Sequence, residues 1–317
     1  MSINLFGGFD MKKLLFLAVV LSIVLVCGCN GGQYKVQNAG GVIQDFSFDF
    51  GSVYDDDTVV LTAEVQNVGG KEIASTDLYV YGQTIGGDTT VWQVDQAIPT
   101  VSQTTPYIHD TFSSSSFMPP DEEQGIPGGS LIYTFILRPP DMLDGIPAVR
   151  QDFYARLCFP YSTSTLTQVE LTSKNEMRAN RVSGTKAETI NAAGPIQLEL
   201  KTQKNIRSIA GKELPLVFSV RNVGGGFATL DTVGCSVDTD TKDRDRVSVE
   251  VTVDGVAATC TGDGNVYLKK GEGTVYCTHA FGDATTPKTN FRVVATAKYN
   301  YYVEKAASVQ VQDSSID

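Results

Sequence analysis

The sequence predicts an all-β protein of two tandem antiparallel β-sandwiches behind an N-terminal signal or anchor helix. Three observations carry that expectation. Apolar and polar residues alternate with period two in many segments, as in Leu61, Ala63, Val65 against Thr62, Glu64, Gln66. Long helical periodicities are hard to find, whereas Val, Thr, Ser, Tyr, Phe and Gly are abundant. A strand-and-turn segment occurs twice, at 58–71 and 213–226.

The leader comes first. Met11-Lys12-Lys13 precedes an apolar run over 14–26, interrupted only by Ser22, and the run closes on Cys27-Gly28-Cys29. Thirteen residues make a helix of roughly 20 Å, against a hydrocarbon core of about 30 Å, so the run suits a signal h-region better than a permanent span. Residues 1–10 have no signal character, and Met11 is a plausible internal start. The junction resembles the lipobox of bacterial and archaeal lipoproteins, with Gly28 as the small residue before the Cys. That resemblance implies cleavage before Cys29, lipidation of Cys29, and a protein held on the extracytoplasmic face of the cell membrane. The alternative is an uncleaved signal anchor. Lipid alone suffices as a tether where two chains are attached.

Loss of residues 1–28 removes Asp10, Lys12 and Lys13, leaving the remainder one unit more negative than the whole chain's −11. An acidic surplus of that size excludes nucleic acid and anionic lipid as partners, since both need a basic footprint. About 290 residues predict two domains.

Residues 30–41 (NGGQYKVQNAGG) read as a flexible stalk. The first domain is expected over 42–173. Phe46, Phe48 and Phe50 alternate with Ser47 and Asp49 in a half-buried strand, and Asp55-Asp56-Asp57 marks a turn. Strands follow over 58–67, 76–83, 89–96 (holding Trp92, the single tryptophan), 131–137 and 152–162. Residues 101–130 contain a four-serine run, Pro119-Pro120 and Asp121-Glu122-Glu123, and read as a long polar loop, functional or disordered. No Asn-x-Ser/Thr site occurs. Residues 174–194 have no apolar period and read as the linker.

The second domain is expected over 195–317. Ile196, Leu198 and Leu200 alternate with polar neighbours, as do Val247, Val249, Val251 and Val253, and a long series from Phe291 to Val303. One wet and one buried face is the pattern of an antiparallel sandwich.

TVVLTAEVQNVGGK (58–71) and ELPLVFSVRNVGGG (213–226) align without gaps, each an alternating strand running into Asn-Val-Gly-Gly. Positive φ at the reversal explains Asn and Gly there, and Val68 and Val223 are expected to plug the core's end. The repeat predicts two copies of one domain type. The pattern resembles the Ig-like domains of the CARDB type found in bacterial and archaeal surface proteins, where a V-x-N-x-G strand end recurs. Cys158-Phe159-Pro160-Tyr161-Ser162-Thr163 resembles a Cys-(Tyr/Phe)-Pro-Tyr-x-Thr stretch of archaeal surface proteins, in which a second Cys follows about a dozen residues later. Here Val169-Glu170-Leu171 stands at that place, so an equivalent bridge cannot form. The resemblance implies Ig-like sandwiches and a non-catalytic adhesion or envelope-assembly module, with other envelope proteins or surface glycans as partners.

With Cys27 removed and Cys29 lipidated, Cys158, Cys235, Cys260 and Cys277 remain, and export favours their oxidation. Cys260 and Cys277 flank Gly-rich turns and are expected to pair, a closure worth about 3 kcal/mol in chain entropy. Cys158 and Cys235 either clamp the two domains or stay as buried thiols. No metal-type Cys/His spacing occurs among them.

Catalytic signals are few. His109 beside Asp110 and His279 after Cys277 are the two histidines, and Gly-x-Ser-x-Gly, His-Glu-x-x-His, Walker and Rossmann patterns are missing. Asp238, Asp240, Asp243 and Asp245 place four carboxylates within eight residues, which suits Ca²⁺. They lack the central Gly and terminal Glu of an EF-type loop, and Lys242, Arg244 and Arg246 can neutralise them instead. Tyr299, Tyr301 and Tyr302 suit a stacked sugar ring, yet Tyr299 and Tyr301 share the buried parity of Val293. A ligand-binding lipoprotein for sugar or Ca²⁺ is thus the alternative function; a secreted hydrolase is the third.

Overall fold

A computed structural model describes residues 35–113, 117–143, 146–180, 186–209, 212–282 and 288–316. The expected signal peptide, the lipidation position Cys29 and the first residues of the stalk lie outside them.

The chain runs through β1 (Gly41–Phe48), β2 (Ser52–Tyr54), β3 (Val59–Asn67), β4 (Ser75–Tyr81), β5 (Gln93–Ile98), β6 (Ser102–Thr104), β7 (Tyr107–Ser113), β8 (Ser130–Arg138) and β9 (Ala148–Thr172). A short helix, α1 (Lys174–Asn180), leads to β10 (Thr189–Asn191), β11 (Ile196–Leu200), β12 (Asn205–Arg207), β13 (Leu214–Asn222) and β14 (Phe227–Thr229). Then come β15 (Arg246–Val253), β16 (Val256–Ala257), β17 (Thr259–Cys260), β18 (Asn265–Tyr267), β19 (Glu272–His279) and β20 (Lys288–Gln312).

The strands build two Ig-like sandwiches with matching orders. One outer sheet is β1-β3-β8-β5, the other β11-β13-β19-β17. Both pack on one twelve-stranded sheet, whose main path is β16-β15-β20-β9-β4-β7-β6. Alternation drives this. In β3, Val59, Leu61, Ala63 and Val65 are fully buried, and in β15 the four valines are buried while Ser248, Glu250 and Thr252 face outward.

The centre of the large sheet is unusual. β9 and β20 are each 25 residues long and pair antiparallel throughout, from Lys288↔Thr172 to Gln312↔Ala148, with Pro160 opposite Asn300 at the midpoint. At about 3.3 Å per residue each spans roughly 80 Å. Both run from one sandwich into the other. The first sandwich takes the N-terminal half of β9, flanked by β4, and the C-terminal half of β20, flanked by β2 in parallel. The second takes the N-terminal half of β20, flanked by β15, and the C-terminal half of β9, flanked by β12 in parallel. Each repeat therefore lends its neighbour the last strand of its sheet. The segments 42–173 and 195–317 each supply most of one sandwich, but the packing boundary crosses β9 and β20 at their midpoints.

The repeated Asn-Val-Gly-Gly has a different physical basis from the one expected. Neither asparagine has positive φ, and of the glycines in the two turns only Gly225 does. Instead the asparagine side chains bridge the reversal. Asn67 accepts from Gly69 N–H (2.9 Å) and donates to the Lys71 and Phe117 carbonyls, while Asn222 accepts from Gly224 N–H (3.2 Å) and donates to the Gly226 carbonyl (2.8 Å). Gly69 and Gly224 make room: a Cβ there would stand 2.7 Å from the hydroxyls of Tyr161 and Tyr301. Val68 is buried as expected, but Val223 is 44% exposed and plugs nothing, because the second turn lies open.

Three further expectations are corrected. Residues 101–130 are not an open loop, since β6 and β7 extend the central sheet beside β4 and Ile108 and Phe117 are buried. The linker 174–194 holds α1, and β10 pairs with Thr165–Thr167 of β9. Phe50 falls beyond the end of β1 and is 67% exposed. Trp92 is buried just before β5 begins, against the edge of Phe153. Asp55 ties the outer end of the first sandwich together, accepting from the Met142 and Ser314 N–H groups at 3.0 Å each; the Met142 bond, then that of Ser314, holds its carboxyl below the ordinary value.

Two outcomes follow from this architecture. Segments 42–173 and 195–317 expressed apart each lack an exchanged strand and should show no cooperative melt by circular dichroism, whereas the intact protein melts in one transition. Asn67→Ala and Asn222→Ala each strip partners from turn N–H and C=O groups, and should lower stability by about 1–3 kcal/mol in urea titrations.

Candidate functional site

The outer sheets cover one face of the central sheet, so the residues of opposite parity on β20, β9, β4 and β7 look the other way. In register they form rows: Glu304 opposite Arg156, Arg156 opposite Tyr79, Tyr79 opposite His109; and Tyr302 opposite Cys158, Cys158 opposite Asp77, Asp77 opposite Thr111. Tyr154 stands opposite Tyr81. Directly opposed side chains are close enough to interact, and here they are mostly aromatic or charged.

Arg156 is the centre of this patch, and its side chain is 3% exposed. Its guanidinium lies 4.3 Å from the Tyr302 ring centroid and 5.5 Å from that of Tyr81. Nε and Nη2 donate to Glu304 Oε1 at 2.9 and 2.7 Å, and Nη1 donates to the Ser236 carbonyl. A buried guanidinium needs both kinds of support, a counter-charge and filled donor positions. The Tyr81 hydroxyl also donates to Glu304. Burial raises the Glu304 carboxyl, but Tyr81 and Arg156 outweigh it and hold the group below 4.5. Burial pushes the Tyr79, Tyr81 and Tyr302 phenols up to about 12, so all three remain neutral.

A strap, residues 230–245, crosses from the second sandwich onto this face. Asn300 at the ladder's midpoint donates to the Leu230, Asp231 and Val233 carbonyls (3.2, 3.2 and 2.8 Å). The Cys158–Cys235 disulfide bonds the strap to β9. Val237 packs on Tyr79, Tyr302 and the disulfide, Tyr107 donates to Asp238 (3.3 Å), and Arg244 lies 5.4 Å from the Phe227 ring. Beside the strap is an open cleft of about 280 Å³, lined by Tyr81, Gln83, Thr84, Tyr107, Val237 and Asp238. Tyr154, 40% exposed and stacked on Tyr81, continues the aromatic surface.

The residues singled out from sequence have these places. Cys260 and Cys277 are bonded, as are Cys158 and Cys235, the latter pair joining strap to ladder. The geometry does not bear out calcium at Asp238, Asp240, Asp243 and Asp245. Among the described residues no group of three or more His, Cys, Asp or Glu side chains could hold a metal ion. The carboxylates have other uses: Asp240 caps a short 3-10 turn through Lys242 N–H (3.0 Å) and pairs with Lys242 Nζ (3.1 Å), and Asp238 receives Tyr107. Tyr299 and Tyr301 are core, bonded to Thr163 (2.7 Å) and Asn222 (2.8 Å); Tyr302 alone faces the patch, under Arg156.

His109 stacks on Tyr79 at 4.5 Å, and its Nε2 lies 3.1 Å from Asp77 Oδ1 and 3.3 Å from Thr111 Oγ1. The same ring nitrogen meets both, so one cannot orient the ring while the other surrenders a proton to it. His279 packs on the Phe281 ring edge.

Sequence reasoning missed Tyr79, Tyr81, Tyr107, Tyr154 and Arg156. The signal was present: Tyr-x-Tyr (79, 81), Tyr-x-His (107, 109), Tyr-x-Arg-x-Cys (154, 156, 158) and Tyr-x-Glu (302, 304) place aromatics on the wet parity of four strands.

No family model matches the chain, and no curated protein matches it. Solved structures show distant likeness. The type II cohesin dyad of the ScaA scaffoldin of Acetivibrio cellulolyticus is 8% identical, with 80% of this chain and 84% of that one covered and a TM-score of 0.20. Domains D2 and D3 of the major pilin SpaD of Corynebacterium diphtheriae give 13%, 78%, 80% and 0.19. The Enterococcus faecalis MSCRAMM ACE gives 7%, 88%, 97% and 0.22. Scores of this size carry no functional argument, and the fold assignment rests on the strand orders above.

Glu304→Gln leaves Arg156 buried without its counter-charge. The variant should lose about 1–3 kcal/mol near neutral pH, less than a fully buried pair would, because Glu304 is partly solvated. A carboxyl held below its unfolded value stabilises above that value and stops doing so as pH falls through the folded one. The Tm gap between wild type and Glu304→Gln should therefore narrow below about pH 4; a gap constant from pH 7 to 3 would refute the assignment.

Proposed function

We propose that the chain is a non-catalytic adhesion or envelope-assembly module on the extracytoplasmic face of the cell membrane, and that its partners are other envelope proteins or surface glycans. The observation that carries this reading is the aromatic patch around Arg156, with the open cleft beside it. Exposed Tyr154, with Tyr81 and Tyr107 at the cleft, forms the contact surface, and buried Arg156 holds it from beneath; tyrosines on a rigid platform offer large contact area at small entropic cost. The platform's side chains are set by β-strand register and by a disulfide rather than by mobile loops.

Location draws on two supports. Two disulfides fit an oxidising compartment. The apolar run over 14–26 ahead of Cys29 fits export followed by lipidation, or retention as a signal anchor. Among the described residues no helix is long and apolar enough to cross a membrane. The Asn-Val-Gly-Gly strand ends further support kinship with CARDB-type domains of archaeal and bacterial surface proteins.

A sugar-binding lipoprotein is the second reading, favoured by the Tyr107 ring and Asp238 carboxylate in one cleft. Tyr107→Ala and Tyr154→Ala separate the two. Adhesion across the patch predicts that both weaken binding to isolated envelopes more than tenfold at unchanged Tm. A monosaccharide site predicts loss with Tyr107→Ala alone. Unchanged binding by both variants would remove the patch from function. For the tether, Cys29→Ser should move the protein from the membrane to the soluble fraction, and mass spectrometry of the wild type should find a lipid-modified N-terminal Cys29.

A further inference from the structure

Where the chain enters and leaves the ladder determines which hydrogen bonds would carry a pull. The N-terminal side arrives at the ladder's midpoint. Gln37 N–H donates to the Val68 carbonyl (2.7 Å), and a Cβ at Gly40 or Gly41 would touch the Phe159 ring, next to Pro160. From there β1 runs outward, and Phe48 meets Phe153. The C-terminal end of β20 lies at that same outer end, with Gln312 opposite Ala148. The start of β1 and the end of β20 thus sit at opposite ends of the first sandwich. Tension between them drags β1 along β3, from Gly41↔Asn67 to Phe48↔Leu61, and drags β20 along β9 and β2. Bonds loaded this way share the force and must fail together.

The second sandwich is outside that path. It joins the first through β9 and β20, which pair in register at Pro160 and Asn300, through the strap, and through the Gln197 amide donating to Asn38 (3.5 Å). Once the first sandwich gives way, force reaches the second at two adjacent points. With the disulfide closed, it enters from Cys158 to Cys235, through the strap to Arg246, and leaves at Asn300; Ser248 lies opposite Lys298 at that end. Antiparallel strands pulled from adjacent ends open one bond at a time, at far lower force.

We propose that under a pull between the start of β1 and the end of β20 the first sandwich takes the load in shear and shields the second, and the two yield in a single step. This holds whichever ligand the patch takes, so a failed binding test leaves it standing, and its own failure leaves the binding reading intact. Forced unfolding follows the unfolding barrier rather than the equilibrium stability, and the shear-loaded ladder supplies that barrier.

Optical tweezers test it on the full-length protein, with handles coupled at position 35 and at the C-terminal residue. The expected record is one rip releasing all of the chain not enclosed by the two disulfides. Two rips, or an early low-force rip of the second sandwich's length, would overturn the proposal. Cys158→Ser/Cys235→Ser frees the enclosed 77-residue separation and should still give one rip, longer by roughly 270 Å at about 3.5 Å per residue. If that variant yields in two steps, the disulfide rather than the ladder couples the halves, and the proposal fails. Should the variant not fold, excess dithiol supplies the comparison: one dithiol is oxidised to its cyclic disulfide for each of the two protein disulfides reduced to thiols, and the single rip should lengthen by roughly 330 Å.

Discussion

The ladder between β9 and β20 pairs 25 residues of each strand without a register shift, and both sandwiches are assembled on it. In an ordinary sandwich the last two strands of the sheet turn back on each other in a hairpin. Here each runs straight on, and the neighbour completes the pairing. The register runs unbroken through the midpoint, so neither half has a free edge where the other should be. The two hydrophobic cores are consequently parts of one continuous cluster, from Phe46 and Trp92 in the first sandwich to Leu198 and Val251 in the second.

The patch owes its geometry to the same ladder. Arg156 and Glu304 meet because their strands pair at that position, although they are 148 residues apart in sequence. Cys235 reaches Cys158 because the strap leaves from beside Asn300. Burial of a guanidinium among tyrosines is costly without such placement, and the rows of opposed residues provide it.

Much of this was legible in the sequence. Period-two alternation located β3, β11, β15 and β20, and the repeated strand end correctly implied two copies of one sandwich. Cys260 with Cys277 was readable from the Gly-rich turns between them. Other features were not, for identifiable reasons. The strand exchange leaves no local trace, since a strand has the same alternation whichever sheet receives it. The segment around Tyr107 looked like loop because its polar parity is as conspicuous as its buried one, and only pairing with β4 decides the matter. The asparagines of the repeat were found for the wrong reason: they were chosen by backbone preference, whereas their side chains do the bridging. The acidic run was legible only as a choice between calcium and neighbouring bases, because proximity in sequence does not say whether carboxylates converge; Lys242 pairs with Asp240 where it stands.

Odd-numbered positions of β9, from Phe153 through Leu157 and Phe159 to Val169 and Leu171, face the core along the entire strand. Two hydrophobic interiors therefore read one strand in a shared frame. Gaining or losing a single residue near Pro160 would turn every side chain beyond it to the opposite face, emptying one interior while the other stayed intact. A change of length in a loop or in the strap leaves this frame intact; a lengthening of either long strand keeps it only in steps of two, matched in its partner.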